Sequence, residues 1–179
     1  MAQETSAIDY NEIYYGAWPG SLLPANVTRA TDWVAEGFTA VDEPDGDAGM
    51  VITWVREVKE KRIAGSMMSS DEHPIRMGVE SITFASLRHD DKHLTLAFPE
   101  ASHVGEHLTA DGATKYVRMA VVTDNNVYWF KKVANDGNFV ATISNTEFTG
   151  TPYNFKCKED DSAGAIKGAS NFRIIPLTS

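Results

Sequence analysis

The sequence predicts a mainly β protein, an antiparallel β-sandwich or barrel-like domain with one short flanking α-helix. Three observations predict it. Runs rich in Val, Ile, Tyr, Phe and Thr recur with period-2 alternation, and turn-forming Asn, Asp, Gly and Pro stand between them. Neither βαβ alternation nor an internal repeat interrupts the pattern. The 179 residues suffice for a single domain over 1–179, and 42% hydrophobic with 23% charged residues is an ordinary globular proportion.

The elements follow in order. Ile13, Tyr14 and Tyr15 place a first strand over 12–17, closed by the turn chemistry of Trp18-Pro19-Gly20. Residues 21–37 read as a loop with one helical turn, and Phe38 to Val41 as a short strand broken by the acidic Asp42-to-Asp47 turn. Met50, Ile52, Trp54 and Val58 alternate along a strand over 50–58. The stretch from Lys59 to Pro74 has no consistent period and reads as a long projecting loop. Ile75 to Arg88 is the clearest strand, with Ile82 and Phe84 on one face and Ile75, Met77, Val79 and Leu87 on the other. Asp90 then caps a two-turn helix whose Leu94, Ala97 and Phe98 fall at i, i+3 and i+4, and Pro99 ends it.

After a polar linker over 100–114, strands are expected over 115–123 and 127–134 around Asp124-Asn125-Asn126. Another is expected over 139–146 beyond the Asn135-to-Asn138 turn. Residues 151–158 alternate Tyr153, Phe155 and Cys157 with Asn154, Lys156 and Lys158, giving a strand with one wet face. A Gly/Ala/Ser-rich stretch leads to a last strand over 172–175.

The net charge of −9 is concentrated at the start: residues 1–50 hold nine acids and the single base Arg29. A basic stripe with interleaved aromatics, the footprint of a nucleic-acid binder, does not occur. The first residues carry no basic and apolar signal pattern, and no apolar run reaches membrane-span length, so a soluble cytosolic product is expected. Cys157 stands alone and reads as a buried strand residue.

Searches for chemistry leave little. His89 and His93, and again His103 and His107, are spaced i, i+4, but the first pair straddles the Asp90 cap and Gly105 argues against a helix under the second. Asp42, Asp45 and Asp47 surround Gly46 without the bidentate Glu that a calcium loop needs. Adjacent Asp90-Asp91 and Asp160-Asp161 point apart on regular structure and do not form a carboxylate pair. No nucleophile elbow, phosphate loop or dinucleotide fingerprint is present, so neither a catalytic residue nor a cofactor is expected.

Several of these segments, taken in order, form a pattern. Gly16-Ala17-Trp18-Pro19-Gly20 closes the first strand, then come Trp33 and Gly37-Phe38-Thr39 before the acidic Asp-Gly turn. Trp54-Val55-Arg56-Glu57 precedes a long irregular loop, and Val79-Glu80-Ser81-Ile82-Thr83-Phe84-Ala85-Ser86-Leu87 runs toward Leu94-Thr95-Leu96-Ala97-Phe98. Over residues 12–98 this order resembles the major tail proteins of long-tailed, non-contractile bacteriophages, the tail tube subunits.

The resemblance implies a structural virion protein without enzymatic residues. Six copies close a ring, and stacked rings make a tube through which DNA passes without specific binding. Its partners would be further copies of itself, a tape measure protein, and tail terminator and tail-tip proteins, with no membrane. The loop over 59–74 would reach a neighbouring subunit through Lys59, Lys61, Arg62, Met67, Met68, Asp71 and Glu72, and arms over 1–11 and 159–179 would add contacts. Two other readings remain open from the residues: a tail terminator or fibre-base β module, and a metal-dependent β-barrel enzyme using the histidine pairs.

Overall fold

The computed structural model describes residues 2–8, 12–42, 49–62, 69–87, 96–98, 101–104, 107–110, 114–136, 151–163, 165 and 171–177. Its strands are β1 (Ala2–Ile8), β2 (Glu12–Ala17), β3 (Thr39–Ala40), β4 (Met50–Arg62), β5 (Ser69–Ser86) and β6 (Ala101–Val104). They continue with β7 (His107–Ala110), β8 (Val117–Val122), β9 (Asn126–Asn135), β10 (Thr151–Cys157) and β11 (Phe172–Pro176). Nine form one sheet in the order β1-β4-β5-β10-β9-β8-β2-β3, with β11 also on β9, while β6 and β7 pair only with each other. All pairings are antiparallel. The protein is mainly β, as its alternation predicts.

Strands from both halves of that order share one core. Ile13 of β2, Ile52 of β4, Ile82 of β5, Met119 of β8, Phe130 of β9 and Phe155 of β10 are all buried in it. The sheet therefore curls over itself, yet its ends β1 and β3 do not pair, so it stays open. Each fully buried side chain of this kind contributes about 1.5–3 kcal/mol, and the aromatic ladder of Phe84, Tyr153 and Phe155 adds stacking, with Phe84 and Phe155 5.6 Å apart and 8° from parallel.

A second cluster covers the other face of β8 and β9, where Ala120, Val127 and Trp129 meet Val27, Trp33 and Phe38. The covering segment is shaped locally. Asp32 Oδ1 accepts the amides of Val34 and Ala35, starting one helical turn. That turn ends with Gly37 at φ 85°, where the Gly37 amide bonds Val34 O and the Phe38 amide bonds Trp33 O. This is a Schellman close, which wants glycine in the left-handed position. The predicted single helical turn in the 21–37 loop is thus present. At Gly16, an added Cβ would fall 2.4 Å from Ser21 Oγ and 2.9 Å from the Phe38 ring, so glycine lets the covering segment start close against β2.

Two bulges set which residues face the core. In β5 the register steps from Thr53↔Ser81 to Trp54↔Val79, so Glu80 is the extra residue. Val79 consequently joins Ile82 and Phe84 in the main core, which corrects the expectation that it faces the opposite side. In β9 the register steps from Met119↔Phe130 to Val117↔Val133, turning both Phe130 and Val133 inward across the pair Lys131-Lys132.

Other expectations are corrected too. Lys59 to Pro74 is not an irregular loop: β4 extends to Arg62, β5 begins at Ser69, and their register runs out to Arg62↔Ser69. The polar linker contains the hairpin β6–β7, and the N-terminal arm contains β1, paired with β4 from Ala2↔Arg56 to Ile8↔Met50. Of the helix after Asp90, Leu96 and Ala97 are helical and buried, and residues 90–95 lie outside the described residues, as does the strand expected over 139–146. Cys157 is buried on β10 beside the wet-face residues Asn154 and Lys156, as its alternation predicts.

Candidate functional site

Two features stand apart from the packed body. The first is the outer part of the β4–β5 hairpin. β1 covers β4 only as far as Arg56, and β10 covers β5 only over Ser81 to Ser86. From Glu57↔Arg76 to Arg62↔Ser69 the two strands pair, among the described residues, only with each other. At about 3.3 Å per residue, this two-stranded ribbon extends for roughly 20 Å. Of the residues expected to reach a neighbour, Lys59, Lys61 and Arg62 stand on β4, Asp71 and Glu72 on β5, and Met67 and Met68 lie outside the described residues. The register brings Lys61 opposite Asp71 and Glu60 opposite Glu72. Both outer edges of a ribbon expose ladder donors and acceptors, and an isolated pair of strands is marginal in water.

The second feature is a charged latch that the sequence did not reveal, because its members are up to 142 residues apart. The extra residue of the β9 bulge points Lys132 away from the core. Its ammonium bonds Asp161 and sits 4.0 Å from the Trp18 ring centre and 4.4 Å from that of Tyr116. Beside it the guanidinium of Arg118 donates to Ser21 O at 2.9 Å and lies 3.7 Å from Asp160 Oδ2. Asp160 Oδ1 also accepts from Trp18 Nε1 at 3.0 Å and from Ser162 Oγ at 2.7 Å. Arg118 and Lys132 are 6% and 7% exposed. Two buried cations are thus balanced by two adjacent aspartates that turn to different partners, and the chain just after β10 is fastened to the Trp18 turn.

Burial works against the charged form of Asp160, but hydrogen bonds from Ser162 and Trp18 and the charge of Arg118 together hold its carboxyl below the usual range. Asp161 is held low mainly by its bond from Lys132. A carboxylate whose folded pKa is depressed contributes stability above its unfolded value, near 3.9, and loses it as pH falls through the folded value. Asp160→Asn is therefore expected to lower the melting temperature by several degrees at pH 7, about 1–3 kcal/mol for stranding buried Arg118. The gap to the parent should narrow as pH falls below the ordinary carboxylate value near 3.9 and through the lower folded value. Thermal unfolding across pH checks this, and an Asp160→Asn protein as stable as the parent at pH 7 contradicts the latch.

The histidine and acidic candidates lie partly outside the described residues. His103 and His107 stand on facing strands of the β6–β7 hairpin, while His89, His93, Asp45 and Asp47 lie outside the described residues. Among the described residues, no three His, Cys, Asp or Glu side chains come within metal-binding reach of one another, and no helix is long and apolar enough to cross a membrane. Burial pushes the Cys157 thiol up to about 12, which leaves it a poor nucleophile. The described cavity with clear walls is small, about 40 Å³, and is lined mainly by apolar atoms of Tyr15, Leu96, Val117, Ala134 and Phe155. No protein-family model matches the chain, and no curated protein is significantly similar to it.

Proposed function

We propose that this chain is a self-assembling structural protein, a phage tail tube subunit whose copies close into hexameric rings and stack as the conduit for DNA. The observation that carries the reading is the β4–β5 ribbon. Within the body β4 is flanked by β1 and β5, and β5 by β4 and β10, but beyond Glu57 and Arg76 each of the two has only the other among the described residues. A long, two-sided edge invites pairing with another chain, and ring closure satisfies such edges without open-ended aggregation.

The ordered set of segments over 12–98 supports the tail tube identity, and the curled antiparallel body accommodates it. In that setting the ribbon, the N-terminal strand β1 and the segment beyond β10 are the contacts between copies. A tape measure protein, a terminator and tail-tip proteins would be the further partners in the virion. Six copies of a chain at −9 bring roughly −54 charges to a ring, a field that discourages a lumen from gripping DNA.

Negative-stain microscopy together with sedimentation of the purified protein tests the reading. Tubes or six-membered rings are expected, growing with concentration. A monomer at every concentration tried would overturn it.

A further inference from the structure

The 12 residues between Lys158 and Asn171 join two adjoining places on β9. β10 and β11 run in the same direction along the same edge of β9. β10 leaves that edge at Cys157↔Val133, and the Lys158 amide still bonds Lys132 O at 2.9 Å. β11 enters at Phe172↔Phe130, just after the Lys131 amide bonds Asn171 O at 3.0 Å. Lys158 and Asn171 therefore occupy adjacent places on β9, as if one strand had been cut, and residues 159–170 leave and return to nearly the same point. The latch explains the first of these residues, since Asp160 and Asp161 are held by Arg118, Trp18 and Lys132. It does not explain residues 163–170, Ala-Gly-Ala-Ile-Lys-Gly-Ala-Ser.

What lies beyond that tether is a self-contained plug. Phe172 enters the main core between the rings of Trp54 at 4.9 Å, Phe130 at 5.1 Å and Tyr128 at 6.1 Å. Asn171 donates to Val79 O at 2.9 Å beside the bulge at Glu80. By contrast, Arg173 and Ile174 are exposed, and the outer edge of β11 meets no strand among the described residues.

We propose that β11 is exchanged between copies: in the assembled protein, β9 of one protomer receives Asn171–Pro176 of a neighbour, while the latch keeps residues 158–162 on their own body. The proposal rests on the self-assembly reading and names the contact it uses. Every slot contact is the same whichever chain supplies the strand, so exchange changes only the path of the tether. Fully extended, residues 163–170 reach about 26–29 Å, enough to pass from one body to an adjoining one. Copies held side by side present one another's strands at millimolar effective concentration, comparable to that of the chain's own tethered strand, so exchange within an assembly costs little free energy. The latch limits the swinging part to the tether and plug, so exchange leaves the buried Arg118 and Lys132 paired throughout.

A disulfide across the slot tests this. Asn126 and Pro176 are register partners of β9 and β11, and facing Cα atoms about 4.5–5.5 Å apart suit a disulfide. Oxidising Asn126→Cys/Pro176→Cys as a monomer locks β11 to its own β9. The locked protein is expected to lose tube formation at least tenfold and to regain it with reductant. Mixing the two single variants, letting them assemble, and then oxidising should give covalent dimers on a non-reducing gel. Tubes from the locked protein at the parental level, or assembled mixtures without dimers, overturn exchange while leaving self-assembly standing. A parent protein that never assembles overturns both.

Discussion

Replacing residues 58–75 by Asn-Gly, which joins Glu57 to its register partner Arg76, is expected to give a protein that folds but builds no tubes. The physical basis is the separation of the ribbon from the body. Its ladder bonds are made between its own two strands, and a two-stranded hairpin is barely stable by itself, so its removal costs the fold little. Asn-Gly between facing residues is the favoured two-residue hairpin turn and preserves the register of the remaining strands. The melting temperature should stay within about 2 °C of the parent, the range of a surface change. Sedimentation should show no species above a small oligomer. Tubes of normal length from this variant would remove the ribbon from the assembly reading, and a variant that cannot fold would make the ribbon part of the body.

The opposite profile is expected from Phe155→Ala. Phe155 is 1% exposed and stacks on Phe84 at 5.6 Å and Tyr153 at 5.9 Å. It also forms part of the wall of the small cavity beside Tyr15 and Leu96. Truncation enlarges a void that already exists and takes away both stacking partners, so the cost should fall near the upper end of the ~3–5 kcal/mol seen for buried Phe to Ala. In a chain of this size that lowers the melting temperature by roughly 6–20 °C. Assembly should persist at low temperature, where the body is still folded, because Phe155 is not at an edge. A loss under 1 kcal/mol in chemical denaturation would mean that this ladder is not the centre of the core.

How legible the chain was depends on what each segment buries. β8, β9 and β10 could be read because packing imposes a pattern on them: Tyr153, Phe155 and Cys157 face the core in strict alternation, and Asp124-Asn125 marks the turn between β8 and β9. The ribbon could not be read as strand. Only a buried face writes apolar alternation into a sequence, and Lys59, Glu60, Lys61 and Arg62 lack it. The same reason hid β6–β7 in what looked like a polar linker. On β5 a single extra residue at Glu80 was enough to put Val79 on the unexpected side, because side chains alternate with a period of two.

The candidate sites divide the same way. The ribbon's position was legible from its missing pattern and its place after Trp54-Val55-Arg56-Glu57, while its hairpin geometry was not. The latch was invisible. Trp18, Arg118, Lys132 and Asp160 look in sequence like a turn residue, two strand cations and part of an acidic pair, and only the β9 bulge brings them together. The signal that existed was local: Lys131-Lys132 within the otherwise apolar run of β9 is an unusual place for charge, and the bulge lies there.

The main core also sets terms for how the chain is made. It holds Ile13 near one end and Phe172 near the other, and β2 finds its partner β8 about a hundred residues further along. Contacts so distant in sequence form slowly, because the closure of long loops precedes the gain from burial. During synthesis, β2, β4 and β5 emerge before the strands that cover them, so the growing chain presents uncovered strands until β8 to β11 arrive. The chain thus passes through its most adhesive state before it has a surface of its own, and the order of its strands makes release from that state depend on the last of them.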